Sequence, residues 1–278
     1  MTRTTGAVLC PRCRQLMSRA ERVCPSCGAG NSAFQGAAVN LSRVFDFDLG
    51  WAVTALSGFF YLLSLILDPG DLLKAPRGFD FLAPSGQALQ ALGMTSGEAL
   101  LTGHVWTLFT ASFLHGGLIH IIFNLIWLRQ LTPVVRAHYG PAQYVVLFLL
   151  TGAGGFVLSD LASGAWTIGA SASLFGLFGC LIGWGRRRGG TYGRQLTSTM
   201  WSWALPPFVL GFLMPGVNNY AHVGGFVTGF ALAWLLPGEG RSEGRLIPAL
   251  AILLCAFTVA GFGVSLWMYW PGLVGARG

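Results

Sequence analysis

Few side chains in the apolar part of this 278-residue chain could carry out covalent chemistry. They are Ser171 and Ser173 in the stretch TIGASASLFG, His120 with Asn124, and His222. A serine hydroxyl becomes a nucleophile when a base such as histidine lies within hydrogen-bonding reach. In such a dyad Ser171 attacks and His222 acts as base and acid. Donors such as His120, Asn124 and the backbone N–H of Ser171 would receive the oxyanion.

Only one of the two serines can face His222. They are two residues apart and therefore point about 200° away from each other on a helix. We predict that Ser171 is the nucleophile and that Ser173 contacts another helix or bonds back to a carbonyl. Phe175 lies one turn below Ser171 and could pack against the imidazole. No acid is available to orient that imidazole, which predicts a slow enzyme, because such a loss costs on the order of 10⁴ in rate.

The composition indicates a membrane bundle. The chain is 53% hydrophobic and only 10% charged, whereas a soluble domain has roughly 25% charged residues. Its 40 glycines are typical of membrane helices, because small residues let helices approach closely where the hydrophobic effect does not drive them together. A single soluble core is thereby excluded. We predict seven membrane helices, near residues 51–67, 114–132, 144–162, 169–185, 200–214, 221–236 and 246–267.

The distribution of positive charge predicts the orientation. With the N-terminus in the cytoplasm, 14 of the 17 Lys and Arg residues are cytoplasmic, and only Lys74, Arg77 and Arg277 are outside. The net charge of +7 is then a topology signal, and no nucleic-acid partner is expected. His120, Ser171 and His222 come to a similar depth, so the site opens to the outer side. The expected location is a bacterial plasma (inner) membrane.

The scarcity of acids excludes several other activities. Asp160 is the only acid between residues 99 and 238. An aspartyl protease needs two facing carboxylates, and proton-coupled transport usually needs one in the membrane. No histidine has the H-E-x-x-H neighbourhood of a metalloprotease.

The N-terminal segment predicts a structural zinc site. Cys10 and Cys13 form one C-x2-C pair and Cys24 and Cys27 form another, ten residues later. This spacing suits tetrahedral four-cysteine zinc, and two disulfides are the alternative, which a reducing cytosol disfavours. Such a short segment could hardly fold without the metal. Cys180 and Cys255 are interpreted as small apolar packing residues.

The order of the motifs resembles that of rhomboid intramembrane serine proteases over residues 105–236. HIIFN, from His120 to Asn124, is similar to the family's H-x-x-x-N. Gly169-Ala-Ser171 is similar to its G-x-S, and AHVGGFVTG, which contains His222, is similar to A-H-x-x-G-x-x-x-G. The resemblance implies an all-α polytopic fold with a six-helix core, here with one extra C-terminal helix. It also implies a serine endopeptidase that cleaves single-pass transmembrane substrates within the bilayer.

Three positions depart from the family pattern. Ala172 follows the serine where the family has glycine, and its methyl group could crowd the substrate or the oxyanion. Thr107 follows Trp106 where the family often has arginine, and Arg136 stands where an acid is usual. A rhomboid-like protein that binds membrane clients without cutting them is therefore an alternative. A transporter is a third, weaker one.

Two further segments have expected roles. By resemblance, the fifth helix, with Trp201, Trp203 and Phe208, would be a mobile gate, although ordinary lipid-facing packing explains these side chains equally well. Residues 68–104 are rich in Gly and Pro and are not expected to form one spanning helix. They are either a loop that dips into the membrane or an extramembrane connector.

The expected organisation has four parts. Residues 1–30 form a zinc-ribbon-like cytosolic domain, 31–45 a linker, 46–240 the rhomboid-like core, and 241–278 the added helix and tail. The expected partners are transmembrane substrates and the lipid bilayer, and the sequence leaves the oligomeric state open.

Overall fold

The structure is a computed structural model that describes residues 7–10, 13–18, 24–27, 48–68, 81–214, 216–236, 238 and 245–275. The predicted linker, residues 31–45, lies outside the described residues, as does Phe79 of the predicted outer loop.

A short hairpin precedes a series of helices. The elements are β1 (Ala7–Leu9), β2 (Leu16–Ser18), α1 (Leu49–Leu67), α2 (Gly86–Ala91), α3 (Gly97–Leu101), α4 (Thr107–Thr110), a 3-10 turn (Ala111–Phe113), α5 (Leu118–Tyr139), α6 (Pro141–Ala162), α7 (Ser171–Arg188), α8 (Gly190–Leu213), α9 (Asn219–Leu235) and α10 (Leu246–Gly275). The predicted all-α fold is confirmed, with a six-helix core of α1 and α5 to α9 followed by one more helix. The antiparallel pair β1–β2 is confined to the N-terminal cysteine segment.

Local sequence explains where several helices begin. Ser85 and Ser96 precede α2 and α3, and each hydroxyl accepts a hydrogen bond from a backbone N–H three residues later, at 3.1 Å. Pro141 is the first residue of α6, where its missing N–H is not needed. Gly140, with φ 81°, separates α5 from α6, so the two helices join through a single residue.

The seven predicted apolar runs correspond to the seven long helices, although the boundaries differ, and α5, for example, begins at Leu118 and ends at Tyr139, whereas the sequence predicts 114–132. By length and composition, α1, α5, α6 and α10 are long and apolar enough to cross a membrane. The largest difference is at α8, which begins at Gly190, whereas the apolar run begins near residue 200. The missed part, TYGRQLTST, is polar but continues the helix beyond the hydrophobic stretch.

Helix α7 lies at the centre of the bundle. Its side chains from Ala172 to Gly185 are buried, mainly against α9, α6 and α8. Glycines allow the closest approach, because a methyl group added at Gly229 of α9 would collide with the backbone carbonyl of Gly176 on α7. Small residues at such crossings let two helix backbones touch. The resulting van der Waals packing stabilises the helix pair in lipid, where the hydrophobic effect does not drive helices together.

The segment before α5 packs against the bundle. Leu92 and Leu114 are fully buried, and Thr95 pairs with Thr167 in an isolated antiparallel bridge. Within this segment, residues 81–104 are the described part of the Gly- and Pro-rich stretch 68–104. They contain the short helices α2 and α3 and are therefore not one spanning helix, as predicted. Helix α10 covers this segment, since the indole N–H of Trp106 donates to Ser265 Oγ at 2.9 Å.

Gly229→Val should destabilise the bundle, because the new side chain would enter the α7–α9 contact. Overpacking of this kind costs about 1–3 kcal/mol. Unfolding of the purified protein in mixed micelles, followed by circular dichroism, measures the change. Gly263→Val in α10 is the matched control, since nothing lies within 4 Å of a Cβ there. Equal destabilisation by the two variants would contradict the packing argument.

Candidate active site

The proposed nucleophile and base lie within hydrogen-bonding distance. Ser171 is the first residue of α7, and His222 is in the first turn of α9. The Nε2 atom of His222 is 3.0 Å from Oγ of Ser171. His222 is 6% exposed, so the pair sits in a largely enclosed place. This geometry allows proton transfer from the hydroxyl to the imidazole.

Two neighbours fix the orientation of the His222 ring. Its Nδ1 lies 3.2 Å from Oδ1 of Asn219, one turn earlier on α9. Because an amide oxygen only accepts, Nδ1 carries the proton and Nε2 presents its lone pair to Ser171. The ring of Phe175 stacks on the imidazole with centroids 4.3 Å apart and planes 25° apart. The packing expected of Phe175 from the sequence is therefore present.

His120 lies on the other side of Ser171. The backbone N–H of Gly116 donates to Nδ1 of His120 at 3.3 Å, so the ring proton is on Nε2. Gly169 has φ 121°, a conformation that favours glycine. A methyl group there would lie 2.8 Å from His120 Nε2 and 3.7 Å from Ser171 Oγ. The absence of a side chain at Gly169 leaves space between an imidazole N–H donor and the hydroxyl.

Asn124 is oriented differently from the sequence-based expectation. Its Nδ2 donates to the backbone carbonyl of His120 at 2.8 Å, and the residue is 3% exposed. One of its two amide protons is thus used within α5. The structure brings Ser171, His222 and His120 together, and it ties Asn124 to the helix that carries His120.

Ser173 points away from this group. Its hydroxyl is fully buried and lies 3.5 Å from the hydroxyl of Ser112 in the 3-10 turn. The contact with another element matches the role expected of Ser173.

The start of α9 is tied to its neighbours by Asn218. Its Oδ1 accepts hydrogen bonds from the N–H groups of Tyr220 and Ala221 at 3.1 and 3.3 Å. Its Nδ2 donates to the hydroxyls of Ser159 at 2.6 Å and Thr167 at 2.9 Å. Asn218 therefore caps α9 and joins it to the end of α6 and to the segment before α7.

Comparison with known proteins identifies the family. The rhomboid domain family matches residues 102–239, about half of the chain, and this region contains every member of the site described above. The chain belongs to the rhomboid family. The predicted resemblance is thereby confirmed.

Several named rhomboid relatives are similar to this chain. RHOMBOID-like protein 6, mitochondrial, of Arabidopsis thaliana is 31% identical over 59% of this chain and 56% of its own length. Rhomboid protease GluP of Bacillus subtilis is 27% identical over 64% of this chain and 36% of its own length. Inactive RHOMBOID-like protein 8 of Arabidopsis thaliana is 30% identical over 53% of this chain and 43% of its own length. The matched region therefore spans about half or less of these relatives.

The departures from the rhomboid pattern have local explanations. The side chain of Ala172 is fully buried and faces Gly155 of α6, where an added methyl group would lie 2.8 Å from it. The extra methyl group therefore packs between helices. The hydroxyl of Thr107 donates to the carbonyl of His104 at 2.7 Å and to the hydroxyl of Thr95 at 3.1 Å, so it is part of the packed segment before α5. Arg136 is half-buried in the last turn of α5.

Asn218 and Asn219 are functional candidates that the sequence reasoning missed. A carboxylate is the expected partner of a catalytic histidine, and the sequence has none near His222. The spacing of Asn219, three residues before His222 on one helix, was the available signal, because residues three apart share a face.

The N-terminal cysteines lie outside the rhomboid domain and form a group of their own. Their four Sγ atoms lie within 4.8 Å of one another, and none is in a disulfide. The Sγ atoms are 3.6 Å apart for Cys10 and Cys27 and also for Cys13 and Cys24. Tetrahedral zinc with bonds of about 2.3 Å to sulfur needs edges of about 3.8 Å. The group could therefore bind a metal ion.

Protonation of the Cys13 thiol opposes metal binding. The backbone N–H of Gln15 lowers the pKa of Cys13, but burial and the thiols of Cys27, Cys24 and Cys10 raise it to about 12. A metal ion binds the thiolate form, so binding must release protons and weakens as the pH falls.

Proposed function

We propose that this protein is an intramembrane serine endopeptidase that cleaves single-pass transmembrane proteins with a Ser171–His222 dyad. The observation that carries the proposal is the 3.0 Å distance between Ser171 Oγ and His222 Nε2, in a chain with a rhomboid domain. Membership of a family that includes a named rhomboid protease supports it.

In the proposed reaction, Ser171 Oγ attacks the scissile carbonyl while Nε2 of His222 takes its proton. His222 then returns that proton to the leaving amine, and a water molecule, activated by the same imidazole, releases the acyl group. Asn219 accepts from Nδ1 throughout and keeps the ring in the reactive tautomer. Because an amide cannot stabilise the imidazolium as a carboxylate does, we expect slow turnover.

The developing oxyanion would lie in the space beside Gly169. Nε2–H of His120 is the side-chain donor that borders this space, and the N–H of Ser171 adds a backbone donor at a helix N-terminus. We include Asn124 as a third donor, through the amide proton that it does not use in α5.

The location and organisation are part of the proposal. The positive charge at the arginine-rich ends of the helices supports a cytoplasmic N-terminus in a bacterial plasma (inner) membrane, with the site open to the outer side. The proposed boundaries are a metal-binding segment at 1–30, a rhomboid core at 46–240 and an added helix and tail at 241–278. The partners would be transmembrane substrates and the surrounding lipid.

A second candidate function is the binding of membrane clients without cleavage. It is favoured by the similarity to a relative named as an inactive rhomboid-like protein, at 30% identity. The two functions differ in whether the Ser171 hydroxyl is reactive.

A fluorophosphonate probe should label the purified protein on Ser171. Ser171→Ala should abolish labelling, because the activated hydroxyl is gone, whereas Ser173→Ala should retain it, because Ser173 contacts Ser112 instead. Gel fluorescence with mass spectrometry of the labelled peptide provides the measurement. Labelling that is lost with Ser173 would refute the choice of nucleophile. A folded protein that binds a transmembrane client but never reacts would favour the second function.

Asn219→Ala should lower kcat with little change in KM, because the imidazole loses its acceptor while the substrate contacts stay. The expected loss is about fivefold, since a neutral hydrogen bond contributes about 1 kcal/mol and Phe175 still stacks on the ring. Cleavage of a fluorogenic transmembrane peptide in liposomes measures both constants.

Asn219→Asp tests whether Asn219 acts on the imidazole, because a residue with only a structural role would not change the pH–rate profile. The carboxylate still accepts from Nδ1 and also favours the protonated imidazole, so activity should be restored and the acidic limb of the pH–rate profile should move to higher pH. A profile identical to that of the Ala variant would contradict the positioning role.

We propose that the four N-terminal cysteines hold one structural zinc ion. Zinc would supply no catalytic chemistry at this site, because four thiolates leave no open coordination position. Purified protein should contain about one zinc per chain, and Cys10→Ser with Cys24→Ser should remove it. Elemental analysis by plasma mass spectrometry is the measurement, and Cys180→Ser is the matched control. Zinc that remains bound to the double variant would contradict the assignment.

A further inference from the structure

A groove between α7 and α8 lies at the end of α7 that is remote from Ser171. It has a volume of about 400 Å³ and is lined by the last turn of α7, by Gly189 and by residues 193–198 of α8. Ser171 and Arg186 are 15 residues apart on α7, which corresponds to about 22 Å along the helix. The groove is therefore separate from the candidate active site.

Glycines form the floor of the groove. A methyl group added at Gly193 would collide with the carbonyl of Gly185, so the two helix backbones touch there. Gly189, with φ 65°, ends α7 and allows the chain to turn directly into α8. Because no side chain fills this corner, the groove keeps its volume.

Two arginines line the groove from opposite helices. Arg186 comes from α7 and Arg194 from α8. The sequence contains no Asp or Glu from residue 161 to residue 238. Within the described residues, neither arginine forms a salt bridge. The guanidinium of Arg186 lies 5.8 Å from the ring centroid of Phe230, and Arg194 Nη2 donates to the hydroxyl of Thr191 at 3.5 Å. The groove therefore combines positive charge with the absence of a nearby counter-charge from its own segments.

Hydroxyl groups complete the lining. The hydroxyl oxygen of Thr197 is buried and has no hydrogen-bond partner among the residues that the structure describes. Ser198, one residue further, is exposed and also borders the groove. Arginine and hydroxyl donors together match the oxygens of a phosphate group.

We propose that this groove binds a phosphate group carried by an anionic ligand, which is either the head group of an anionic phospholipid or free phosphate. The site lies at the arginine-rich ends of membrane helices, where the phosphates of a bilayer surface are found. Arginine suits this role because its planar fork of donors fits phosphate oxygens and keeps its charge at any physiological pH. A phosphate held there would bridge α7 to α8.

Native mass spectrometry of the full chain in detergent provides the test. The protein is mixed with increasing amounts of dioleoyl phosphatidylglycerol or of dioleoyl phosphatidylcholine. The wild type should retain one molecule of phosphatidylglycerol and bind phosphatidylcholine more weakly. The double variant Arg186→Gln with Arg194→Gln should weaken that binding about 25-fold, because each arginine near the surface contributes about fivefold.

Arg188→Gln is the matched control for charge. Its guanidinium lies 5.4 Å from the ring centroid of Trp184 and does not line the groove. It should bind phosphatidylglycerol like the wild type. An equal loss in the control and the double variant would mean a diffuse charge effect and would overturn the site.

A second variant and a second ligand separate the remaining outcomes. Ser198→Leu fills the groove without changing charge and should also weaken binding, which keeps the test valid if the double variant does not fold. Inorganic phosphate is added at constant ionic strength while thermal unfolding is followed. Stabilisation of the wild type by phosphate alone, without retention of the lipid, would assign the site to free phosphate. No binding of either ligand would refute the proposal.

Discussion

The arrangement of the site depends on how closely three helices approach one another directly beneath Ser171 and His222. Serine and histidine have short side chains, so a 3.0 Å contact requires α7 and α9 to be almost in backbone contact. At Gly225 of α9, an added methyl group would collide with the carbonyl of Ala172, the neighbour of Ser171. At Gly155 of α6, it would meet both Ala172 and the carbonyl of Ala221, the neighbour of His222. The small residues of α6, α7 and α9 therefore set the distance between the two reacting groups.

Close helix contact fixes the distance between Ser171 and His222. A polar network fixes the position of the start of α9, which carries His222. Asn218 caps α9 and holds its start against Ser159 and Thr167. Thr167 in turn pairs through its backbone with Thr95, whose hydroxyl donates to Asp160 at 3.0 Å. Buried polar groups are stabilising only when they are hydrogen-bonded. A fully hydrogen-bonded network specifies one arrangement of the helices, whereas apolar contacts alone would allow one helix to shift along another. The segment around Thr95 thus contributes to the position of His222 without touching it.

Sequence reasoning predicted the fold class and the grouping of His120, Ser171 and His222, because charge scarcity, apolar runs and depth can be read from residue order. It could not predict the true start of α8, since TYGRQLTST is polar and hydropathy does not record that a helix continues past the apolar core. It placed the Ala172 methyl group near the substrate, whereas the structure buries it against Gly155. That difference depends on the rotation of α7 about its axis, which only the packing of all neighbours determines.

The amide of Asn219 in place of an acid follows from the surroundings of the pair. A carboxylate in such an enclosed, apolar region loses its hydration, and that cost is recovered only through good ion pairing and hydrogen bonding. The chain offers no cation close by in sequence, since the nearest arginine before His222 is Arg194. An amide has no such penalty, yet its oxygen still holds Nδ1–H and selects the tautomer. Asn219 therefore stabilises the imidazolium less than a carboxylate would, but it adds no buried charge to the helix bundle.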